Sequence, residues 1–136
     1  MITASAEHAM KIFVVEDSAP VCERLVEIIE EDAGHEVVGQ AATEADAIAG
    51  ITATRPDVGI FDIKLAQGNG IEALAEVKRR LPDLIAIVMS NYATPQHRKA
   101  SADAGAEYFL DKSADFDRIT TILSSLAGGT NKRVPQ

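Results

Sequence analysis

Short apolar runs alternate along this chain with longer segments whose apolar positions recur at helical spacing. Lys11-Ile-Phe-Val-Val15 is brief, β-branched and bounded by Glu16-Asp17-Ser18, the pattern of a strand. From Pro20 to about Asp32, Val21, Leu25, Ile28 and Ile29 share one helical face, with Pro20 suited to a first turn and Gly34 to a helix end. Glu36 to Ala41 predicts a second, weaker strand. Residues 44–53 predict an alanine-rich helix that stops ahead of Arg55-Pro56, because a residue before proline is driven out of the α region. Val58 to Phe61 reads as a third strand, 71–80 as a helix with Ile71, Leu74 and Val77 inward, and Leu84 to Ser90 as the strongest strand of all. A helix over 95–104 ending near Gly105, a strand from Tyr108 to Leu110 and a helix from Phe116 to Leu126 complete the series.

Five apolar strands alternating with five helices predict an α/β fold, a parallel sheet covered on both faces. Strands one, three and four are apolar almost throughout and belong at its centre. Right-handed crossovers leave few topologies, and in open α/β sheets ligands sit at the carboxyl ends of the strands. No linker, repeat or low-complexity block divides the chain. One folded unit is expected over 10–127, with 1–9 as an N-terminal extension and 128–136 as a flexible tail.

Composition narrows the choices. A length of 136 residues with 46 % hydrophobic and 25 % charged residues suffices for one core. A net charge of -8 argues against nucleic acid or an anionic membrane as a direct partner. No window is long and apolar enough for membrane insertion or a signal core, and the single Cys22 cannot form an internal disulfide; a cytoplasmic location is expected. Cys22 falls at helical spacing with Leu25 and Ile29 and reads as a structural residue. His8, His35 and His97 are too scattered for a zinc site and are assigned surface or loop positions. Lys78-Arg79-Arg80 reads as a solvated helix end.

The strand ends carry the chemistry: Glu16-Asp17, Asp62, Ser90-Asn91 and Asp111-Lys112. They are far apart in sequence, so only the sheet can gather them. Any one of these carboxylates alone also serves as a helix cap or loop group, Ser90 as a turn cap, and Lys112 as a balancing charge. Together at one rim the acids repel one another unless a cation neutralises them. A hard divalent ion with oxygen ligands fits, with Asp17 and Asp62 as direct ligands and Glu16 acting through water. Such an ion and the Lys112 ammonium would draw electron density from a phosphoryl group, making Asp62 an acceptor for an acyl phosphate and Ser90 a hydrogen-bond donor to it.

These residues, in this order, resemble the receiver domain of two-component response regulators. The resemblance covers about residues 10–127 and rests on "VVEDS", "FDIKL", Gly70 eight residues after Asp62, Ser90 ending strand four, and "FLDKS" with Lys112. It implies a flavodoxin-like (βα)5 sandwich of strand order 2-1-3-4-5 and a stand-alone phosphorylation switch, not an enzyme. It implies that Asp62 is phosphorylated by a histidine kinase or histidine phosphotransfer protein and that a downstream effector protein reads the result. It further implies Mg²⁺, with Mn²⁺ as the alternative, held by Asp17, Asp62 and the backbone carbonyl of Lys64, and a switch made of Ser90 and Phe109.

Departures from the family pattern are also visible. Ala66 and Ser113 stand where the family commonly has proline, so a trans Lys112–Ser113 bond or a reshaped loop is expected. Phe109 lacks the hydroxyl of a tyrosine, so its response is expected to be one of packing. Two other functions compete. A receiver-like interaction module that works without phosphate would have no use for the complete acid, serine and lysine set. An aspartyl-phosphate hydrolase of the haloacid-dehalogenase type would place a second aspartate where Lys64 stands. A dinucleotide site is weaker still, since strand one leads into Glu16-Asp17-Ser18-Ala19-Pro20 with no glycine-rich turn.

Overall fold

A computed structural model of the chain describes residues 9–133. In β1 (Lys11–Val15), Ile12 and Val14 point to one side of the sheet while Phe13 and Val15 point to the other, and all four are buried. That alternation requires two helical layers. One is α1 (Ala19–Glu27), continued by a π-helical turn over Ile28–Asp32, together with α5 (Arg118–Arg133). Its Leu25, Ile29, Ile119 and Leu123 pack with Ile12, Val14, Ile60, Ile87 and Met89. The opposite layer holds α2 (Glu44–Thr54) and α3 (Gly70–Arg80), whose Ala47, Ile51, Leu74 and Val77 meet Phe13, Val15, Phe61 and Val88.

Strands β2 (Glu36–Ala41), β3 (Val58–Asp62), β4 (Ile85–Ser90) and β5 (Tyr108–Asp111) complete a parallel sheet of order β2-β1-β3-β4-β5, the flavodoxin-like arrangement. β3 is buried at every position and lies at its centre. The fourth helix, α4 (Pro95–Ala104), follows β4, with Thr94 accepting the His97 N–H as its N-cap. Among the described residues no helix is long and apolar enough to cross a membrane.

The first helix ends at Asp32 as the pattern predicts, but widens into a π turn after Glu27, where Ala33 N–H donates to Ile28 O and both Ile28 and Ile29 are buried. The last helix runs to Arg133, past Leu126 and into the segment expected to be a tail. Apolar periodicity marks only the turns that pack on the sheet, whereas backbone hydrogen bonding continues beyond them. Residues 1–8 of the expected extension and 134–136 lie outside the described residues.

Candidate functional site

Val15 of β1 lies opposite Phe61 of β3, so the chain delivers Glu16 and Asp62 side by side at the sheet's carboxyl edge. Glu16, Asp17 and Asp62 each place a carboxylate oxygen within 4.8 Å of the others, a set able to coordinate a divalent metal. Glu16 and Asp62 are buried, while Asp17 is exposed. The ammonium of Lys112, one residue beyond β5, sits 2.8 Å from Glu16 Oε1 and 3.1 Å from Asp62 Oδ2. The other Glu16 oxygen accepts the Ser18 N–H at 2.9 Å. Burial pushes the Glu16 carboxyl up, beyond what the Lys112 and Ser18 hydrogen bonds recover, and the Asp62 charge adds to the rise. Burial alone would lower the Lys112 ammonium, but Glu16 and Asp62 outweigh it and hold the group above its ordinary value. Lysine therefore stays charged between two carboxylates.

These groups line a cleft of about 470 Å³ shared with Ser90, Asn91, Tyr92, Lys64 and His97. Its floor is fixed by backbone. Gly70, the first residue of α3, approaches so closely that a Cβ there would lie 1.8 Å from the Asp62 carbonyl oxygen, and its N–H donates to Ile63 O at 2.8 Å. Any side chain at this position would displace the strand end that carries Asp62. Asn69 caps the helix by accepting the N–H groups of Ile71 and Glu72.

The family model for the response regulator receiver domain matches residues 12–124. The chain belongs to this family. Among curated proteins, this receiver is 35 % identical over 103 residues to the DNA-binding transcriptional activator DevR/DosR of Mycobacterium tuberculosis, covering 76 % of this chain and 48 % of that protein. It is 36 % identical over 107 residues to a protein-glutamate methylesterase/protein-glutamine glutaminase of Pseudoalteromonas atlantica, covering 76 % of this chain and 28 % of that one. The chain thus spans about half or less of the length of these relatives. The response regulator domain of Thermotoga maritima CheB superposes with a TM-score of 0.75 at 27 % identity, covering 88 % of this chain and 93 % of that one. A CheY-like receiver from Methanospirillum hungatei JF-1 gives a TM-score of 0.82 at 24 % identity over 92 % of this chain and 98 % of that one, a likeness of fold. The acid cluster of this receiver is consistent with the phosphoaccepting aspartate pocket of response regulators.

Where this receiver lacks the two prolines, the backbone uses the N–H that proline would not have. Ala66 N–H donates to Ala42 O at 3.0 Å, tying the loop after Asp62 to the turn before α2. Ser113 donates both its N–H (2.9 Å) and its hydroxyl (2.6 Å) to Asp111 Oδ1. Those bonds hold the Asp111 carboxyl below its usual range and close an Asx turn around Lys112. The described residues contain no cis peptide, so the Lys112–Ser113 bond is trans.

The remaining residues singled out from the sequence fall in and around the cleft. The Ser90 hydroxyl accepts the Tyr92 N–H at 2.9 Å and donates to Tyr92 O at 3.3 Å, so it is engaged in its own turn rather than with Asp62. Lys64 is exposed while its residue lines the cleft. Phe109 is half-buried, with the Arg98 guanidinium 4.7 Å from its ring centroid. Cys22 is buried and its thiol donates to Gln40; burial first, then Glu16 and Glu23, push its pKa up, which favours the neutral thiol. Lys78 pairs with Glu107, and Arg79 and Arg80 share Glu76, so each base of the run has a carboxylate partner within the protein.

His35 lies in the loop before β2, as expected, but is buried there; His97 is half-buried in the first turn of α4 and lines the cleft; His8 lies outside the described residues. The spacing Thr94-x-x-His97 immediately after a strand end was the one available signal, since it marks a helix start aimed at the sheet's carboxyl edge.

Proposed function

We propose that Asp62 accepts a phosphoryl group from a histidine kinase or histidine phosphotransfer protein, and that the receiver unit over 10–127 then signals through altered contact with a downstream effector. The observation that carries this reading is the Lys112 ammonium bridging Asp62 and Glu16 at the floor of an open cleft. An Asp62 oxygen attacks phosphorus while the bond to the donor breaks on the far side, and the carboxylate becomes an acyl phosphate. Lys112 neutralises charge on the phosphoryl oxygens without having to move into place.

Asp17, Asp62 and the Lys64 carbonyl would hold Mg²⁺, or Mn²⁺. Both Glu16 oxygens are already hydrogen-bonded, which supports contact with the ion through water. When bound, the ion supplies positive charge that the single lysine cannot provide alone. Ser90 must exchange its Tyr92 partners for a phosphoryl oxygen, and Phe109 must repack beneath Arg98. Phosphate binding thereby reaches the surface around α4 and β5.

Incubation with acetyl phosphate and Mg²⁺ is expected to yield an acid-labile adduct that hydroxylamine also cleaves, detected by intact mass. Asp62→Asn should abolish it. An adduct of equal yield in the variant would overturn the assignment.

A further inference from the structure

The sequence assigns His97 no more than a surface or loop position, yet it lines the same cleft as Asp62, Ser90 and Lys112. Its Nδ1 lies 2.9 Å from Tyr92 O and 3.2 Å from Thr94 Oγ1. A carbonyl oxygen only accepts, so the first of these bonds places the proton of a neutral ring on Nδ1. Nε2 then carries the free lone pair. The other basic groups in the cleft are committed: both Glu16 oxygens are bonded, and Lys112 is a charged ammonium held by two carboxylates. Asp17 and Asp62 belong to the metal and phosphoryl positions of the reading above.

We infer that His97 is the general base for hydrolysis of the phosphorylated receiver, and so sets the lifetime of its signal. The inference rests on phosphorylation at Asp62. A water oxygen attacks phosphorus, its proton passes to His97 Nε2 and on to solvent, and the bond from phosphorus to the Asp62 oxygen breaks. The products are inorganic phosphate and the Asp62 carboxylate. Tyr92 and Thr94 act as positioning groups, because their hold on Nδ1 fixes both the tautomer and the direction of the ring.

A purely structural role for His97 is also written into the geometry. Thr94 caps α4 by accepting the His97 N–H, and the imidazole Nδ1 meets the same hydroxyl, so the ring also steadies the helix start. Glutamine suits that third helical position as well as histidine but cannot take a proton. His97→Gln therefore separates the two roles.

The full chain is phosphorylated with acetyl phosphate and Mg²⁺, the donor is removed, and loss of the adduct is followed by intact mass. Decay in His97→Gln should slow by about 100-fold, the lower end of the contribution of a positioned general base. Decay in His97→Ala should slow likewise and be restored by added imidazole. Glutamine decaying within about twofold of wild type, or alanine unresponsive to imidazole, overturns the proposal. A wild-type chain that forms no adduct at all overturns the Asp62 reading, and this inference falls with it.

Discussion

His35 shows how one buried side chain makes stability depend on pH. Its Nδ1 accepts the Met10 N–H at 3.0 Å, which ties the start of β1 to the turn before β2, and burial lowers its pKa below 6.5. Protonation would turn that acceptor into a donor. The unfolded imidazole takes up a proton near its ordinary value while the folded one resists, so the unfolded state binds more protons below that pH. His35 thus contributes stability that is present above about pH 6.5 and lost as pH falls through the lower folded value. Urea denaturation should show unfolding free energy dropping by up to about 1.4 kcal/mol per pH unit in that acid window. His35→Asn should flatten this dependence; an unchanged slope would contradict the assignment. Arg55 offers the opposite opportunity. It closes α2 with φ +49° ahead of Pro56, a left-handed backbone that a β-carbon disfavours. Arg55→Gly should raise stability by roughly 1 kcal/mol in the same measurement. The sequence located this helix end through proline but carried no sign of its handedness. Nor could it show that His35 is enclosed, since enclosure depends on what packs above it.

At the scale of elements, the packing of α2 on the sheet turns on Phe13. A Cβ on Gly39 of β2 or on Gly50 of α2 would each lie 2.5 Å from its ring, which fills the space between strand and helix. Gly50→Ala would gain about 1 kcal/mol in helix propensity. The buried ring is hemmed in on both sides, however, and overpacking costs about 1–3 kcal/mol, so net destabilisation is expected. A double-mutant cycle with Phe13→Leu checks this: the smaller residue should relieve most of the penalty of Gly50→Ala. Additive effects would show that the two positions do not compete for volume. Strand and helix identities were legible because each helix spends its apolar residues on one face and each central strand on both. The site residues at β1, β3, β4 and β5 were legible for a related reason, as polar groups that end apolar runs abruptly. His97 was legible only as part of a helix start after β4, because its direction is set by the Tyr92 carbonyl and the Thr94 hydroxyl.

For the molecule as a whole, three carboxylates gathered at one edge make stability respond to cations. Raising Mg²⁺ to about ten times its dissociation constant should stabilise the fold by about 1.4 kcal/mol, read as a higher melting temperature that EDTA reverses. Asp17→Asn should remove this increment and, without metal, melt above the parent because one repelling charge is gone. A variant that keeps the full Mg²⁺ response would exclude Asp17 as a ligand. The sequence by itself determined the alternation of strands and helices, the central place of β1, β3 and β4, and the residues that reach the carboxyl edge. Those follow from local periodicity and from the need to bury apolar faces on both sides of a parallel sheet. Only the tertiary structure decided that Lys112 joins Glu16 to Asp62, that Ser90 is held by Tyr92, that backbone N–H groups serve where proline is missing, and that His97 faces the cleft. Each of those depends on distances between segments remote in sequence, which hydrophobic pattern constrains to a common edge but not to hydrogen-bonding range.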